Sequence, residues 1–217
     1  MAQHCKCAVL FVVADPKLMS NYEIVVTENS QLLEVRVYYK SAGIPNNIIS
    51  KTIQLYRYLY ASYLGLKKIK ASFGKPNLIH VNVLTRPGII ALLLKKINAI
   101  PYIITEHWSG YLPADGSYKG FVKKGFTKIV ARNASAITTV SKTLEHAMHS
   151  HGLQNKYSCI PNVIDFNGCN PAQIKIKGEA IMVGNLEDRE KNISPVIQAF
   201  AKLKSQQPEI KLKLIGN

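Results

Sequence analysis

Residues 77–107 read NLIHVNVLTRPGIIALLLKKINAIPYIITEH, and this stretch carries the strongest signal for the fold class. Residues 77–83 form an apolar run that predicts a buried strand. Residues 86–97 follow with a helical pattern and Pro87 in the first turn, where proline is favoured. Residues 101–105 predict a second strand. Because strand, helix and strand follow one another at this spacing, they predict two parallel strands joined by a right-handed crossover.

The alternation of strand and helix continues after this stretch. Residues 118–133 predict a helix and residues 136–140 predict a strand. Ser141 can cap the next helix, which ends at Gly152, because serine hydroxyls accept hydrogen bonds from free N–H groups and glycine terminates helices readily. Residues 156–160 add a short strand. The whole pattern predicts an α/β fold, with a Rossmann-like parallel sheet and helices on both faces.

The N-terminal part of the sequence adds more strands and a long helix. Residues 7–13 are continuously apolar and rich in β-branched side chains, which predicts a strand buried on both faces. Residues 22–26 and 32–39 flank a polar turn and predict a hairpin. Residues 51–71 predict a helix. Its large apolar and aromatic residues share one side, which we expect to face the core: Ile53, Tyr56, Tyr60, Tyr63 and Leu64.

The pattern changes after residue 160. Residues 161–178 hold Asn, Gly, Pro and isolated Lys without a period, and they predict a linker. Residues 179–217 then begin a second strand–helix–strand unit. We therefore expect residues 1–160 to form one Rossmann-like domain and residues 179–217 to begin another. About 40 residues cannot close a doubly wound domain, so we expect the second domain to be incomplete in this sequence.

The charge of the chain is strongly asymmetric. The 217 residues include 28 Lys or Arg and 13 Asp or Glu, which gives a net charge of +15. Residues 35–105 contain eleven basic residues and no acidic residue. Such a surface favours polyanions, an anionic membrane face or a phosphorylated ligand as partners.

Cysteine content and hydropathy exclude several classes of protein. Cys5, Cys7, Cys159 and Cys169 are too few for a disulfide scaffold, and no partner pair stands at zinc spacing. We expect no metal site. The longest apolar runs have about eight residues, whereas a bilayer span needs ~18. No small-residue cleavage site follows the first apolar run, so we predict no signal peptide and a reducing, cytoplasmic location.

Several ionisable residues are candidates for a functional site. Glu106, His107 and Trp108 follow directly from the carboxyl end of a buried strand, where ligands bind in open α/β sheets. An ionisable pair at that edge is a candidate catalytic site, and a structural role is the alternative. His80 either borders the core or faces the same cleft. Lys191 opens a helix, and a helix N-terminus with a lysine can bind phosphate.

The helix predicted over residues 118–133 is amphipathic and basic. Lys124, Lys128 and Arg132 lie on one side of it, and we call them the basic stripe. Its apolar residues lie on another side: Val122, Phe126, Ile129 and Val130. Basic amphipathic helices can dock on anionic lipid, although an ordinary solvated face is the alternative.

Five short motifs follow one another across residues 77–217. They are HVN at 80–82, IPYIITEH at 100–107, AITTVS at 136–141, CIPNVID at 159–165, and Val183-Gly184 with Lys191-Asn192 and Ala199-Phe200. In order and spacing they resemble the motifs of the retaining family-four glycosyltransferases, enzymes with two Rossmann-like domains known as the GT-B fold. Within that family, the resemblance is nearest to the bacterial transferases of capsular polysaccharide or exopolysaccharide synthesis.

The resemblance implies an enzyme that transfers a sugar with retention, usually without a metal or other cofactor. The C-terminal domain would hold a nucleotide-diphosphate sugar. By matching position, His107 is the cleft histidine near the transferred sugar, and Glu106 beside it is a second candidate catalytic residue. Lys191 matches the lysine that binds the donor diphosphate. Arg189 and Asn162 are further candidates for donor binding.

The resemblance also assigns the N-terminal domain to the acceptor. His80, Trp108 and Ser141 are the candidates for that side of the cleft. The acceptor is expected to be a saccharide or a lipid-linked sugar of cell-surface polysaccharide synthesis. The basic stripe would then hold the enzyme peripherally on the anionic inner surface of the membrane.

The sequence departs from the family pattern in three places. Asn185 directly follows Gly184, where the family has an arginine nearby, and Arg189 is the candidate substitute. The E-x7-E motif of the family would lie beyond Asn217. No glycine precedes Gly43, so the Gly-rich loop after the family's first strand has no counterpart. We therefore expect the first βα unit and most of the donor domain to be missing from this sequence, and the chain alone to be inactive.

Two functions of other classes remain as alternatives. The first is a basic nucleic-acid-binding domain, which would explain the charge and predicts exposed aromatic residues interleaved with basic ones. Because Tyr56, Tyr60 and Tyr63 have the spacing of a core-facing side, we expect nucleic acid not to be the partner. The second alternative is a non-catalytic, membrane-associated interaction domain.

Overall fold

The computed structural model describes residues 5–41, 48–163 and 178–216. The strands are β1 (Cys7–Asp15), β2 (Tyr22–Asn29), β3 (Leu32–Lys40), β4 (Ile79–Asn82), β5 (Tyr102–Glu106), β6 (Ala136–Thr139), β7 (Tyr157–Cys159), β8 (Glu179–Val183) and β9 (Lys211–Ile215). The helices are α1 (Ile48–Phe73), α2 (Arg86–Asn98), α3 (Phe121–Asn133), α4 (Lys142–Ser150), α5 (Asp188–Lys191) and α6 (Ile193–Gln206). A 3₁₀ turn covers Ser109–Tyr111.

The central sheet is parallel, with the strand order β4-β5-β6-β7. Its buried side packs against α2, α3 and α4, and the largest core cluster lies there. Tyr102 is fully buried and donates a hydrogen bond of 2.6 Å from its hydroxyl to the carbonyl of Val130 in α3. The predicted α/β fold, with a Rossmann-like parallel sheet flanked by helices, is confirmed.

A second sheet holds the first three strands in the order β1-β3-β2, separate from the central sheet. The hairpin is confirmed, because β2 and β3 pair antiparallel, while β1 and β3 are parallel. The prediction that residues 7–13 are buried on both faces is wrong. Phe11 is 47% exposed and Val13 is 45% exposed, because β1 pairs only with β3 among the described strands and α1 covers one face alone.

The side of α1 that faces the core differs from the predicted one. The side of α1 that packs on β1 and β3 includes the small residues Ala61 and Gly65 between the larger Tyr58 and Ile69. A Cβ atom on Gly65 would lie 2.3 Å from Cδ1 of Leu10 and 3.1 Å from Cγ2 of Val37, so any larger residue would force these side chains to move. The predicted core-facing tyrosines are exposed instead. The pattern was ambiguous because α1 is apolar on two sides.

The helix α2 connects the two sheets. Ile90 of α2 packs against the cluster formed by α1 and β3, while other residues of α2 contact β4, β5 and α3. The guanidinium of Arg86 also lies 6.0 Å from the ring centroid of Tyr58 in α1. α2 therefore contacts both hydrophobic core clusters.

The C-terminal unit is a parallel pair of strands, β8 and β9, with α5 and α6 between them in sequence. It agrees with the strand–helix–strand pattern predicted from residue 179 onward. Of the predicted linker, residues 164–177 lie outside the described residues. Among the helices that the structure describes, none combines the length and the apolar character that crossing a membrane requires.

Two glycines in helix interiors provide a matched test of the packing. Gly125 of α3 has open space around the position of a Cβ atom, whereas Gly65 of α1 does not. We expect Gly125→Ala to raise the free energy of unfolding by about 0.5–1 kcal/mol, because alanine favours helix. Gly65→Ala gains the same propensity but forces Leu10 to move, which costs about 1–3 kcal/mol.

Urea unfolding followed by circular dichroism measures both variants. The expected net result for Gly65→Ala is a loss of stability. Equal stabilisation by the two substitutions would contradict the close contact between α1 and β1.

Candidate functional site

A row of hydrogen-bonded polar side chains crosses three strands near the carboxyl edge of the central sheet. Nε2 of His80 in β4 lies 2.6 Å from the hydroxyl of Thr105 in β5. That hydroxyl lies 2.7 Å from the hydroxyl of Thr138 in β6. Burial lowers the pKa of His80, and the charge of His107 lowers it further. His80 is therefore a neutral hydrogen-bonding group near neutral pH.

The side chain of Glu106, the last residue of β5, is fully buried. One carboxylate oxygen accepts hydrogen bonds from the backbone N–H groups of His107 (3.0 Å) and Trp108 (2.9 Å). The other oxygen accepts from the backbone N–H of Leu84 (3.0 Å) and from the hydroxyl of Tyr111 (3.3 Å). Four donors thus compensate the burial of this carboxylate.

These bonds also fix the chain after β4. Val83 has a φ of 67°, in the left-handed region that β-branched residues avoid. Its N–H donates to the carbonyl of Thr105 (2.9 Å), and the next N–H, of Leu84, donates to Glu106. Two hydrogen bonds to β5 therefore hold this strained turn in place. Strained backbone of this kind is frequent at functional sites.

The side chains that follow β5 differ in exposure. His107 is exposed at the carboxyl end of the strand, and Trp108 is half-buried. Trp108 packs edge-on against Tyr111, with ring centroids 5.1 Å apart. A Cβ atom on Gly110 would lie 2.1 Å from the Trp108 ring, so a glycine is required there.

Lys123 is a member of the site that the sequence did not reveal. Its ammonium nitrogen lies 4.0 Å from the ring centroid of Trp108 and 5.7 Å from that of Tyr118. A cation–π contact of this kind contributes about 0.5–2 kcal/mol. Burial lowers the pKa of Lys123, and the negative charge of Glu106 opposes that effect. The contact depends on how the loop folds back onto α3, and no spacing rule predicts it.

Two further candidates lie at the same edge of the sheet. The hydroxyl of Ser141 accepts a hydrogen bond from the N–H of Leu144 (3.2 Å), so the predicted helix cap is confirmed. Asn162 is exposed and stands three residues after the end of β7. Because the four strands are parallel, the carboxyl-edge residues His107, Trp108, Ser141 and Asn162 all follow the ends of neighbouring strands. His80 lies inside β4, two residues before the end of that strand.

The basic stripe lies on α3 and is partly exposed. Lys128 and Arg132 are exposed, while Lys124 is half-buried, with its ammonium nitrogen 5.7 Å from the ring of Tyr118. The predicted apolar side is only partly correct: Val130 is buried and Phe126 is half-buried. Val122 and Ile129 are exposed, because the buried face of α3 turns toward Thr127 and Ala131 instead.

Two of the candidate donor-binding residues, Lys191 and Arg189, lie in the C-terminal unit. The prediction that Lys191 opens a helix is wrong, because Lys191 is the last residue of α5 and α6 begins at Ile193. Lys191 is exposed, and its aliphatic stem lies against Gly184, where a Cβ atom would be 3.3 Å from Cε of Lys191. Asp188 accepts a hydrogen bond of 2.6 Å from the N–H of Ser194 in the first turn of α6. The hydroxyl of Ser194 also donates to Asp188, and these two bonds, chiefly the one from the hydroxyl, lower the pKa of Asp188. The side chain of Arg189 lies outside the described residues.

A parallel sheet with polar side chains at its carboxyl edge defines a ligand-binding domain of the Rossmann-like class. A family model described as Glycosyltransferase Family 4 matches residues 22–167, about two thirds of the chain. The chain therefore belongs to glycosyltransferase family 4 and is a glycosyltransferase, which implies a sugar donor and an acceptor. No curated protein matches the chain. The match includes His107 and Ser141 and ends before Lys191.

Metal-ligating side chains are not grouped in the described ranges, which hold no cluster of three or more His, Cys, Asp or Glu residues.

Replacing Glu106 tests its role in fixing the loop. Glu106→Gln removes the negative charge and places an amide NH₂ where two donors now converge. We expect a loss of about 2–3 kcal/mol in the free energy of unfolding, because a buried donor is left without an acceptor. Glu34→Gln is the control, since Glu34 forms a surface pair with Arg36 and should change stability by less than about 1 kcal/mol.

The pKa of His80 predicts a pH dependence of stability. In the folded protein this pKa lies below the ordinary value of 6.5, so the folded state binds fewer protons than the unfolded state. The stabilising contribution is complete above pH 6.5 and is lost as the pH falls toward the folded pKa. We expect His80→Gln to flatten the slope of unfolding free energy against pH below 6.5. An unchanged slope would contradict the burial of a neutral His80.

Proposed function

We propose that this glycosyltransferase transfers a sugar from a nucleotide-diphosphate sugar to a saccharide or lipid-linked acceptor, with retention of configuration, in the synthesis of cell-surface polysaccharide. The observation that carries the proposal is the family match over residues 22–167, which include the carboxyl edge of the central sheet. The motifs of the sequence add the donor type and the stereochemistry, by resemblance. No metal or other cofactor is required by the proposal.

The reaction breaks the bond between the anomeric carbon and the phosphate oxygen of the donor. The nucleoside diphosphate leaves with the electron pair, and the acceptor oxygen bonds to the anomeric carbon on the same face and releases its proton to the departing phosphate. Lys191 and Arg189 would stabilise the charge that develops on this phosphate. Asn162 would contribute to donor binding, and His107 would contact the transferred sugar.

The acceptor side of the cleft would be formed by His80, Trp108 and Ser141. Trp108 offers an aromatic surface beside the half-buried ammonium of Lys123, which suits a polar sugar ring. For Glu106 we propose a positioning role in place of direct catalysis, because its carboxylate is fully buried and already accepts four hydrogen bonds. It would hold the backbone from which His107 extends.

For a lipid-linked acceptor we propose peripheral association with the anionic inner surface of the cytoplasmic membrane. The net charge of +15 and the exposed Lys128 and Arg132 of the basic stripe support this proposal. Each cation close to an anionic leaflet contributes about 1 kcal/mol, so a few of them suffice for reversible binding. The attraction would weaken at high salt, where charges are screened.

A nucleic-acid-binding surface is a second candidate, because the tyrosines of α1 that were predicted to face the core are exposed. Tyr56 and Tyr63 are exposed on α1, and Lys67 and Lys68 follow on the same helix. Exposed aromatic and basic residues are what single-stranded nucleic acids bind. Tighter binding of the chain to single-stranded RNA than to anionic vesicles at the same salt concentration would favour this second candidate.

The role of Lys191 can be tested in turnover. Residues 179–217 are grafted into a glycosyltransferase of the family that has both domains, the hybrid enzyme is incubated with nucleotide-diphosphate sugars and a lipid-linked saccharide, and the released nucleoside diphosphate is measured. We expect Lys191→Ala to lower kcat by roughly 10², because charge stabilisation in the transition state is lost. Lys202→Ala is the control, since this residue is exposed on α6 and away from the start of that helix.

Equal kcat values for the two variants would remove Lys191 from the proposed donor site. A product with inverted anomeric configuration would overturn the retaining mechanism.

A further inference from the structure

The long helix α1 carries a continuous row of large apolar and aromatic side chains that face solvent. Its members are spaced alternately by four and three residues, which places them on one side of a helix. We call them the α1 outer stripe: Ile49 (65% exposed), Ile53 (36%), Tyr56 (65%), Tyr60 (41%) and Tyr63 (57%). Isolated exposed apolar residues are ordinary, but a row over four helical turns is a candidate docking surface.

The stripe lies opposite the side of α1 that contacts the sheet. Tyr58, Gly65 and Ile69 define the buried side, and the helical period of 3.6 residues puts Tyr56 and Tyr63 about half a turn away from them. The described sheets therefore cannot cover the stripe without turning the helix. Its exposure follows from the packing of the opposite side.

The aromatic rings of the stripe contact one another. Tyr56 and Tyr60 lie with ring centroids 6.4 Å apart and nearly parallel planes, and Tyr60 and Tyr63 lie 6.2 Å apart. Tyr22 of β2 supports Tyr60 at 5.2 Å. The stripe is thus ordered before any partner binds, which reduces the entropy lost on binding.

The charges around the stripe select an anionic partner. No Asp or Glu occurs in α1, whereas exposed lysines flank the stripe at Lys51, Lys67, Lys68 and Lys70. The helix α2, whose Arg86 lies over the ring of Tyr58 in α1, adds the exposed apolar residues Leu93 and Ile97 and carries Lys95 and Lys96 in its last turn. The two helices therefore combine apolar and cationic side chains and contain no acidic one.

We propose that the α1 outer stripe is a membrane-docking surface, on which α1 lies along an anionic leaflet. Isoleucine side chains would enter the acyl region, tyrosine hydroxyls would remain at the level of the headgroups, and the lysines would contact lipid phosphates while their stems stay apolar. This combination is typical of helices that bind in the plane of a membrane interface.

Two other occupants fit the stripe less well. A second copy of the chain would bring a helix with five basic residues and no acidic one against its equal, which is repulsive. A single-stranded nucleic acid would stack on tyrosine faces, yet Tyr56 and Tyr60 already turn their faces toward each other. It would also leave Ile49, Ile97 and Leu93 without apolar partners.

Docking through the α1 outer stripe adds to the membrane association proposed for the basic stripe of α3, and it does not depend on transferase activity. Its experiment measures the binding of the whole chain to vesicles of mixed phosphatidylglycerol and phosphatidylcholine. The test variant is Tyr56→Ser with Tyr63→Ser, which leaves the supported Tyr60 in place. The control variant is Ile197→Ser with Leu203→Ser, which removes two exposed apolar side chains from α6.

We expect the tyrosine variant to bind roughly tenfold more weakly, because two amphipathic rings no longer enter the interface. The control should bind like the unmodified chain. Both variants should keep the circular dichroism spectrum and the melting temperature, since all four side chains are exposed. Should the double variant unfold, Tyr56→Phe with Tyr63→Phe supplies the second test, because it keeps the rings and should keep binding.

Insertion is measured separately with a fluorescent probe. Tyr56→Trp places an indole on the stripe, and lipids with brominated acyl chains should quench its emission. Ile197→Trp on α6 should show no added quenching relative to the unmodified chain, which contains Trp108.

Three results would overturn the proposal. The first is unchanged vesicle binding by the tyrosine variant; loss of binding on replacing the basic stripe by Gln would then leave only the association through α3. The second is tighter binding to single-stranded RNA than to anionic vesicles at the same salt concentration. The third is a concentration-dependent dimer that the tyrosine substitutions dissociate.

Discussion

The buried carboxylate of Glu106 is the interaction on which the carboxyl edge of the central sheet depends. Three of its four donors are backbone N–H groups, and they come from the turns that follow two neighbouring strands, β4 and β5. A buried carboxylate is tolerated only when donors replace the lost water. One side chain therefore fixes the strained turn at Val83 and the backbone of the exposed His107. A residue that contacts substrate needs such support from behind.

The loop after β5 extends this support outward. Tyr111 is buried against Glu106, Trp108 packs on Tyr111, and Lys123 of α3 lies over the Trp108 ring. Burial and the charge of Glu106 raise the pKa of Tyr111, so its phenol remains a hydrogen-bond donor. A buried ion, a buried phenol and a half-buried cation thus form one packed series from the sheet to the surface.

The helix α1 has apolar residues on two sides, of which one packs on the first sheet and the other faces solvent. Its inner side is built around Ala61 and Gly65, which let the backbone approach Leu10 and Val37 closely. Close approach buries the sheet efficiently and leaves the larger tyrosines outside. A helix that is apolar all round is normally covered on every side. The exposed side of α1 has no such cover from the described residues, and it is the surface for which we propose membrane docking.

The sequence by itself determined the order of the helices and strands, because the hydrophobic period, Pro87 and the capping Ser141 are local signals. The helix predicted over 86–97 is observed at Arg86–Asn98. The strand predicted over 101–105 is observed at Tyr102–Glu106. It also placed Glu106 and His107 at the end of a parallel strand. Only the tertiary structure decided which side of α1 is buried, since both sides are apolar and the choice rests on the fit of Gly65 against β1. It likewise decided that Glu106 holds a loop and that Lys123 meets Trp108. Those contacts join residues from different elements, and long-range packing, which has no periodicity in the sequence, creates them.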